Sequence, residues 1–205
     1  LPVPRLSSGR FLSNFSMSMR MFRSMFLRVA AFLGIVAACS CTKEEIKTEY
    51  SRQEKNIESF INSTLTSIDT AYVVQNKGVS RVVVAPGIEG DSLKLGGKVT
   101  LYYSGFVLKS SSLSRTEMFA TNSREEAAAS QWPTADDSMF GVKTIDTSDK
   151  DVVEGLRYGL VGVKPEQECY IAFSGKHGFG KKPLGTIPAN AALVYHVWVE
   201  NISNK

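Results

Sequence analysis

The sequence is poor in the residues that build covalent or metal-held scaffolds. Its 205 residues include three cysteines and two histidines. Three cysteines are too few for a disulfide framework. Two histidines and scattered cysteines leave little from which to assemble a metal site, and none is expected. No apolar run reaches the roughly 18 residues needed to cross a bilayer as a helix. Hydrophobic residues make up 43% and charged residues 21% of the chain. That is ordinary globular composition, which excludes a globally disordered or fibrous protein. At this length the chain holds one domain of ordinary size with additions, not two large ones.

Acidic residues are missing from residues 1–38, which carry five arginines: Arg5, Arg10, Arg20, Arg23 and Arg28. Taking those five from the 24 basic residues leaves 19 against 20 acids, a net of −1. The net charge of +4 therefore belongs to the N-terminal piece alone. The remainder gives a basic nucleic-acid-binding face no support, and no nucleic-acid partner is expected.

Arg20, Arg23 and Arg28 precede an apolar stretch that runs from Val29 to Ala38. A basic segment, a short apolar one and then small residues is the plan of a secretory signal peptide. The stretch ends Val36-Ala37-Ala38-Cys39, which resembles the lipobox of bacterial lipoproteins. That resemblance implies that residues 1–38 are a signal peptide and that Cys39 is lipidated and becomes the mature N-terminus. It also implies a place in a bacterial cell envelope, membrane-bound through the lipid and on the outer membrane, facing the periplasm or the surface. Multiple acyl chains anchor stably where a single one does not. The competing reading is a buried N-terminal helix with a cysteine by chance; charge asymmetry, length and cysteine position favour the signal. Cys41 is a second candidate for the lipid, with preceding residues that fit less well. The chain does not begin with Met, and Met17, Met19, Met21 and Met25 are each candidate starts, which leaves residues 1–16 open to reading as a gene-calling artefact. Thr42-Lys43-Glu44-Glu45 resembles the surface-export signal of some Gram-negative lipoproteins, and equally a solvated tether.

Residues 39–75 read as the tether and an amphipathic helix, and residues 76–205 as the main domain. Between Glu44 and Leu65 the apolar residues Ile46, Tyr50, Ile57, Phe60, Ile61 and Leu65 fall on one helical stripe, with charged or amidic residues elsewhere. Such a helix packs on the domain or spaces it from a membrane; a dimerisation helix is the other reading. Beyond residue 76 the period becomes two. Ser80–Ala85 reads as a strand that ends at Pro86-Gly87. Lys98–Leu108 alternates, with Val99, Leu101 and Tyr103 on one face. Glu168–Ser174 aligns Cys169, Ile171 and Phe173, and Ala192–Glu200 aligns Leu193, Tyr195, Val197 and Val199. One short helix lies between, lined by Val152, Val153, Leu156 and Leu160, with Ser148 or Asp149 as its expected cap. Strands with one short helix imply an α+β fold built on an antiparallel β-sheet.

Six segments then carry a family resemblance. Residues 96–105, GGKVTLYYSG, are similar to a strand that ends His-Tyr-Thr-Gly. Phe119-Ala120-Thr121-Asn122 sits where that family has Phe-Asp-Ser-Ser. Residues 152–160, VVEGLRYGL, match Val-Ile-x-Gly-Trp-x-x-Gly-Leu. Residues 162–166, GVKPE, match Gly-Met-x-x-Gly with Glu166 for the last Gly. His177-Gly178-Phe179-Gly180 corresponds to Tyr-Ala-Tyr-Gly, and residues 186–197, TIPANAALVYHV, to Ile-Ile-Pro-Pro-Asn-Ala-Thr-Leu-Val-Phe-Asp-Val. In this order the segments resemble the FKBP-type peptidyl-prolyl cis-trans isomerases. The resemblance implies an antiparallel sheet wrapped around one short α-helix, proline-containing polypeptides as partners, and no cofactor.

It also implies a pocket. Twisting an X–Pro amide meets a barrier of about 18–20 kcal/mol, and the twisted form is less dipolar than the planar one. An apolar, water-free hollow disfavours the planar form more, which lowers the barrier without an acid, a base or a nucleophile. The residues the resemblance assigns are Tyr103, Phe119, Val153 and Phe179 for catalysis, with Val152, Leu156, Ile187 and Tyr195 as substrate-binding walls. Val153 would lend its backbone N–H to the substrate carbonyl. Singly, each is also a plain core residue. Three departures weaken the expected activity. Ala120 replaces an aspartate that orients the pocket, Leu156 a tryptophan floor, and Phe179 a tyrosine hydroxyl that binds the substrate. A lost neutral hydrogen bond costs about 0.5–1.5 kcal/mol, several-fold in rate. The insert 124–150 does not align, and Trp132, Met139 or Phe140 from it are candidates to replace the floor.

Weaker signals fall away. Residues 175–182, GKHGFGKK, nearly spell a phosphate-binding loop, but the final Ser or Thr is missing and Pro183, Gly185 and Pro188 follow where a helix should open. No nucleotide partner is expected. His177 and His196 read as surface or strand-face residues, and Cys169 as strand packing.

Overall fold

Alternation along the last strand divides the molecule into two cores. The computed structural model describes residues 43–132, 134 and 136–204, so Cys39, Cys41 and the signal-like segment lie outside the described residues. In β7 (Leu193–Ser203), Leu193, Tyr195, Val197 and Val199 enter one core, while Val194 enters another on the opposite face. The neighbouring β6 (Gln167–Phe173) does the same: Cys169, Ile171 and Phe173 face the first core, Ala172 and Tyr170 the second. Side chains that alternate across a pleat leave both faces apolar, so both must be covered.

The strands expected from the sequence form β2 (Val79–Pro86), β3 (Lys98–Val107), β6 and β7. Three shorter strands join them: β1 (Tyr72–Asn76), β4 (Met118–Thr121) and β5 (Lys143–Asp146). The sheet runs β1-β2-β6-β7-β3-β4, every pairing antiparallel, with β5 on the same edge of β3 as β4. β1 turns into β2 through Lys77 and Gly78, both at positive φ (50° and 80°), the twist-matching geometry of a two-residue hairpin.

Two helices cover the two faces. Residues 43–67 form α1. From it Ile57, Phe60 and Ile61 are buried against Val82, Ala172 and Val194, and Phe60 meets Tyr170 edge to face at 5.5 Å. Each such side chain contributes about 1.5–3 kcal/mol on full burial. This part of the apolar stripe is thus occupied by the chain's own sheet. Beyond α1 the same face exposes a stack in which His196 lies between Tyr170 (4.1 Å) and Trp198 (3.8 Å). Burial lowers the His196 pKa despite its 2.7 Å contact with Glu168.

The opposite face carries α3 (Glu154–Leu160), the short helix the sequence implies; α2 (Arg124–Ala129) lies in the insert. α3 sits unusually close to the sheet. A Cβ on Gly155 would fall 2.3 Å from the Phe173 ring, and one on Gly159 would fall 2.1 Å from Ile171 Cγ2. The expectation that Ser148 or Asp149 caps this helix does not hold. Val153 is the cap residue and offers no side-chain hydrogen bond. Instead Asp146 accepts from Ser148 N–H and Asp149 from Asp151 N–H, closing two turns before the helix begins. At the other end Arg81, buried on β2, donates to the carbonyls of Gly159 (2.8 Å) and Val161 (2.6 Å). A cation at a helix C-terminus is favourable there, although burial lowers the Arg81 pKa. Burial likewise pushes the Cys169 thiol up to about 12, so it packs as an unreactive apolar group.

Gly155→Ala tests this close approach. The gain in helix propensity is about 1 kcal/mol. Overpacking against Phe173 outweighs it, and urea denaturation should show a net loss of about 1–3 kcal/mol. Unchanged or raised stability would mean that the helix can lift from the sheet at no cost.

Candidate active site

The N-terminal end of α3, the middle of β3 and β7, and the long connection between β6 and β7 meet around one hollow of about 480 Å³. All eight residues singled out in the sequence line it: Tyr103, Phe119, Val152, Val153, Leu156, Phe179, Ile187 and Tyr195. The aromatic rings pack edge to face. Phe119 meets Tyr195 at 5.6 Å and 85°, and Phe179 at 6.5 Å and 88°. Tyr103 and Tyr195 lie 6.0 Å apart, and Phe173 stacks behind Tyr195 at 6.0 Å. The rings reach one another because Gly105 lets Phe119 cross β3: a Cβ there would stand 2.6 Å from the Phe119 ring.

Polar groups in the hollow are few and free. Tyr103 and Tyr195 have raised pKa values, chiefly through burial, and no hydrogen bond contributes at either hydroxyl. Both therefore remain neutral donors. Val153 N–H has no acceptor among the described residues; the Val153 carbonyl accepts from Arg157 N–H, so the residue is already fixed as the first turn of α3. The groups before a helix's fourth residue have no intrahelical acceptor, which leaves this donor for a ligand.

Several lining residues carried no sequence signal. Ile145 and Lys143 come from β5, Asp151 from the turn before α3, and Leu184 from the β6–β7 connection. Ile145 and Lys143 are the insert's contribution to the wall. Trp132, Met139 and Phe140, the candidates for a replacement floor, do not line the hollow. Met139 points to solvent at 47% exposure, and Phe140 lies under the Arg124 guanidinium at 4.8 Å. The near phosphate-loop segment forms a single 3-10 turn at Gly175–His177, and His177 is bonded to Glu154 at 2.8 Å.

Asn122, which closes one of the family-like segments, has a role that the sequence did not show: its side chain acts as a missing piece of strand. On one edge of β3, β5 pairs with Lys98–Leu101 and β4 with Ser104–Phe106. In the gap Asn122 Oδ1 accepts from Tyr103 N–H (2.6 Å), and its Nδ2 donates to Leu101 C=O (3.0 Å) and Gly141 C=O (2.8 Å). The amide is 2% exposed. It holds Tyr103 and Phe119 in register, since they sit on the two strands it joins.

An apolar hollow at the start of a short helix, under an antiparallel sheet, is the arrangement that the family resemblance implies. A sequence profile described as FKBP-type peptidyl-prolyl cis-trans isomerase matches residues 90–200, more than half the chain. The chain belongs to that family. Among solved structures, the crystal structure of FkpA from Escherichia coli has a TM-score of 0.50 at 14% identity, covering 98% of this chain and 84% of that one. The crystal structure of the three FKBP domains of wheat FKBP73 also scores 0.50 at 14% identity, covering 66% of this chain and 50% of that one. At such identities the likeness is one of fold. The chain matches about half the length of the wheat protein. No curated protein matches it.

Asn122→Asp retains shape and the acceptor but loses both donors and sets a carboxylate against two carbonyls. Each buried group left unpaired costs about 1–3 kcal/mol, so thermal or urea unfolding should show a loss of about 2–4 kcal/mol. A stability equal to the parent's would remove Asn122 from this role.

Proposed function

We propose that this protein is a peptidyl-prolyl cis-trans isomerase of weakened activity that assists the folding of polypeptides outside the cytoplasm. Its partners are proline-containing chains, and lipid on Cys39 holds it in a bacterial cell envelope. The observation that carries the catalytic reading is the convergence of all eight matched residues on one hollow with a free backbone donor at its edge. A proline ring enters between Tyr103, Phe119 and Tyr195, over Leu156. The carbonyl before the proline accepts from Val153 N–H. Water is excluded, so the planar, dipolar amide loses solvation that the twisted form needs less, and the barrier falls. Aromatic walls suit this because they supply large apolar area with little to ionise.

A second reading keeps the hollow and drops most of the turnover: a binding module for a proline-containing segment or a partner protein. Ala120, Leu156 and Phe179 favour it. Ala120 and Phe179 line the hollow without the carboxylate and hydroxyl found in relatives, and a leucine floor offers less contact than an indole.

Turnover of an X–Pro peptide, followed by protease-coupled or exchange NMR, tests the first reading. We expect a rate above buffer yet low for the family, and a rate equal to buffer would refute catalysis. The triple variant Ala120→Asp, Leu156→Trp, Phe179→Tyr separates the readings: a sharp rise from an almost inactive parent marks the parent as a binder. Val153→Pro isolates the backbone donor. Val153 has φ −53°, within proline's range, so the substitution removes the N–H while suiting the helix start. The rate should fall about three- to ten-fold or more with the fold retained by circular dichroism. Because burial raises both tyrosine pKa values, their hydroxyls stay protonated and the rate should be flat from about pH 6 to about pH 9. A bell-shaped profile there would point to an acid–base pair and against enclosure.

A further inference from the structure

The connection from β6 to β7 supplies Phe179, Leu184, Thr186 and Ile187 to the hollow, yet it is irregular over most of its length. A wall made from such a segment needs its ends fixed. Its own contacts hold the middle: Leu184 and Ile187 exchange backbone hydrogen bonds at 3.0 and 2.9 Å, and Asn190 N–H donates to Gly180 C=O at 2.8 Å. At the base the two ends touch. A Cβ on Gly175 would fall 2.0 Å from Asn190 O. The β6–β7 ladder ends at Phe173 and Leu193, and Gly175 and Asn190 beyond it share no backbone hydrogen bond; both are tied to α1.

Gln53 makes the tie. Its Oε1 accepts from Gly175 N–H at 2.8 Å, and its Nε2 donates to Asn190 C=O at 2.8 Å. One buried amide, 4% exposed, therefore closes both ends of the segment. Its helical neighbours reinforce it. Tyr50 O–H donates to Asn190 Oδ1 at 3.2 Å, and Ser174 O–H donates to Glu54 at 2.8 Å. Positions i−3, i and i+1 of α1 thus hold one loop base, while Ile57, Phe60 and Ile61 anchor the helix on the sheet. The family profile begins at residue 90, so this support comes from outside the matched region.

We propose that Gln53 is a positioning residue for the hollow: α1, through this amide, sets where the Phe179 and Ile187 wall stands. The proposal rests on the isomerase reading for its kinetic consequence and stands apart from it for its structural one. Gln53 touches no lining atom of the reaction itself, so it acts only through the loop.

The test is Gln53→Leu, which keeps the volume and deletes both hydrogen bonds to the loop, together with the one Nε2 donates to Glu49 on the same helix, read by hydrogen–deuterium exchange and by X–Pro turnover on the full chain. We expect amides of residues 175–190 to exchange at least about ten-fold faster while those of β3 and β7 hold their parent rates. We expect kcat/KM to fall about five- to ten-fold, mostly through KM, since a displaced wall weakens binding of ground and transition states alike. Val83→Ala is the control. It weakens the core from β2 and touches neither α1 nor the loop, and should leave both the loop exchange and kcat/KM at parent values once corrected for the fraction folded. If Gln53→Leu fails to fold, Tyr50→Phe, which removes only the contact to Asn190 Oδ1, should give the same pattern at smaller size. Unchanged loop exchange in a folded Gln53→Leu, or an equal kinetic loss in Val83→Ala, overturns the proposal. An inactive parent whose loop still loosens in Gln53→Leu overturns the isomerase reading and leaves the positioning role standing.

Discussion

The hollow depends on how near α3 lies to the sheet. Gly155 and Gly159 remove the two Cβ atoms that would hold the helix off Phe173 and Ile171. With the helix lowered, Leu156 becomes a floor and the first turn comes level with the strand-borne rings of Tyr103 and Tyr195. Arg81 then fixes the far end of the helix by taking its last carbonyls. A longer side chain at either glycine would raise the floor, and the space between floor and rings is the site. Packing and function are thus one constraint here, because protein interiors transmit such displacements instead of absorbing them.

Enclosure chemistry makes modest demands on residue identity and strict ones on shape. On the proposed mechanism no group in the wall has to change charge, so a leucine in place of an indole or a phenylalanine in place of a tyrosine would degrade the site without abolishing its principle. What must persist is the convergence of apolar walls and one donor fixed by backbone geometry. Val153 meets that requirement because a helix start leaves its N–H unpaired whatever the side chain. On that reading the three departures would be graded losses of contact and hydrogen bonding, separating catalysis from binding by degree.

The parts legible in the sequence were those written in repeated apolar periods. Four strands of seven to eleven residues gave their faces by alternation, and α3 gave its stripe. β1, β4 and β5, at four or five residues, were too short for alternation to rise above chance. The wall residues came through the family motifs, not through periodicity. Ile145 escaped because it lies in an insert without a motif, whose large residues Trp132, Met139 and Phe140 do not line the hollow. The roles of Asn122 and Gln53 were invisible for another reason. An amide reads as a surface residue by composition, yet each here is buried because it completes hydrogen bonds that the backbone leaves open. Nothing local in a sequence distinguishes a solvated amide from one that spans two elements far apart in the chain.

Those two amides also explain how an irregular site becomes rigid. Asn122 bridges the break on the β3 edge where neither β4 nor β5 reaches, and Gln53 closes the base of the segment where no backbone bond runs between Gly175 and Asn190. Both lie at places where regular pairing stops so that side chains can turn into the hollow. A sheet that continued its ladder there would satisfy the same groups but leave no room for a ligand. The opening and the buried amides are therefore two aspects of one arrangement: each gap in backbone pairing creates part of the wall, and each is closed by a side chain with both a donor and an acceptor, which a carboxamide supplies without charge on separate atoms.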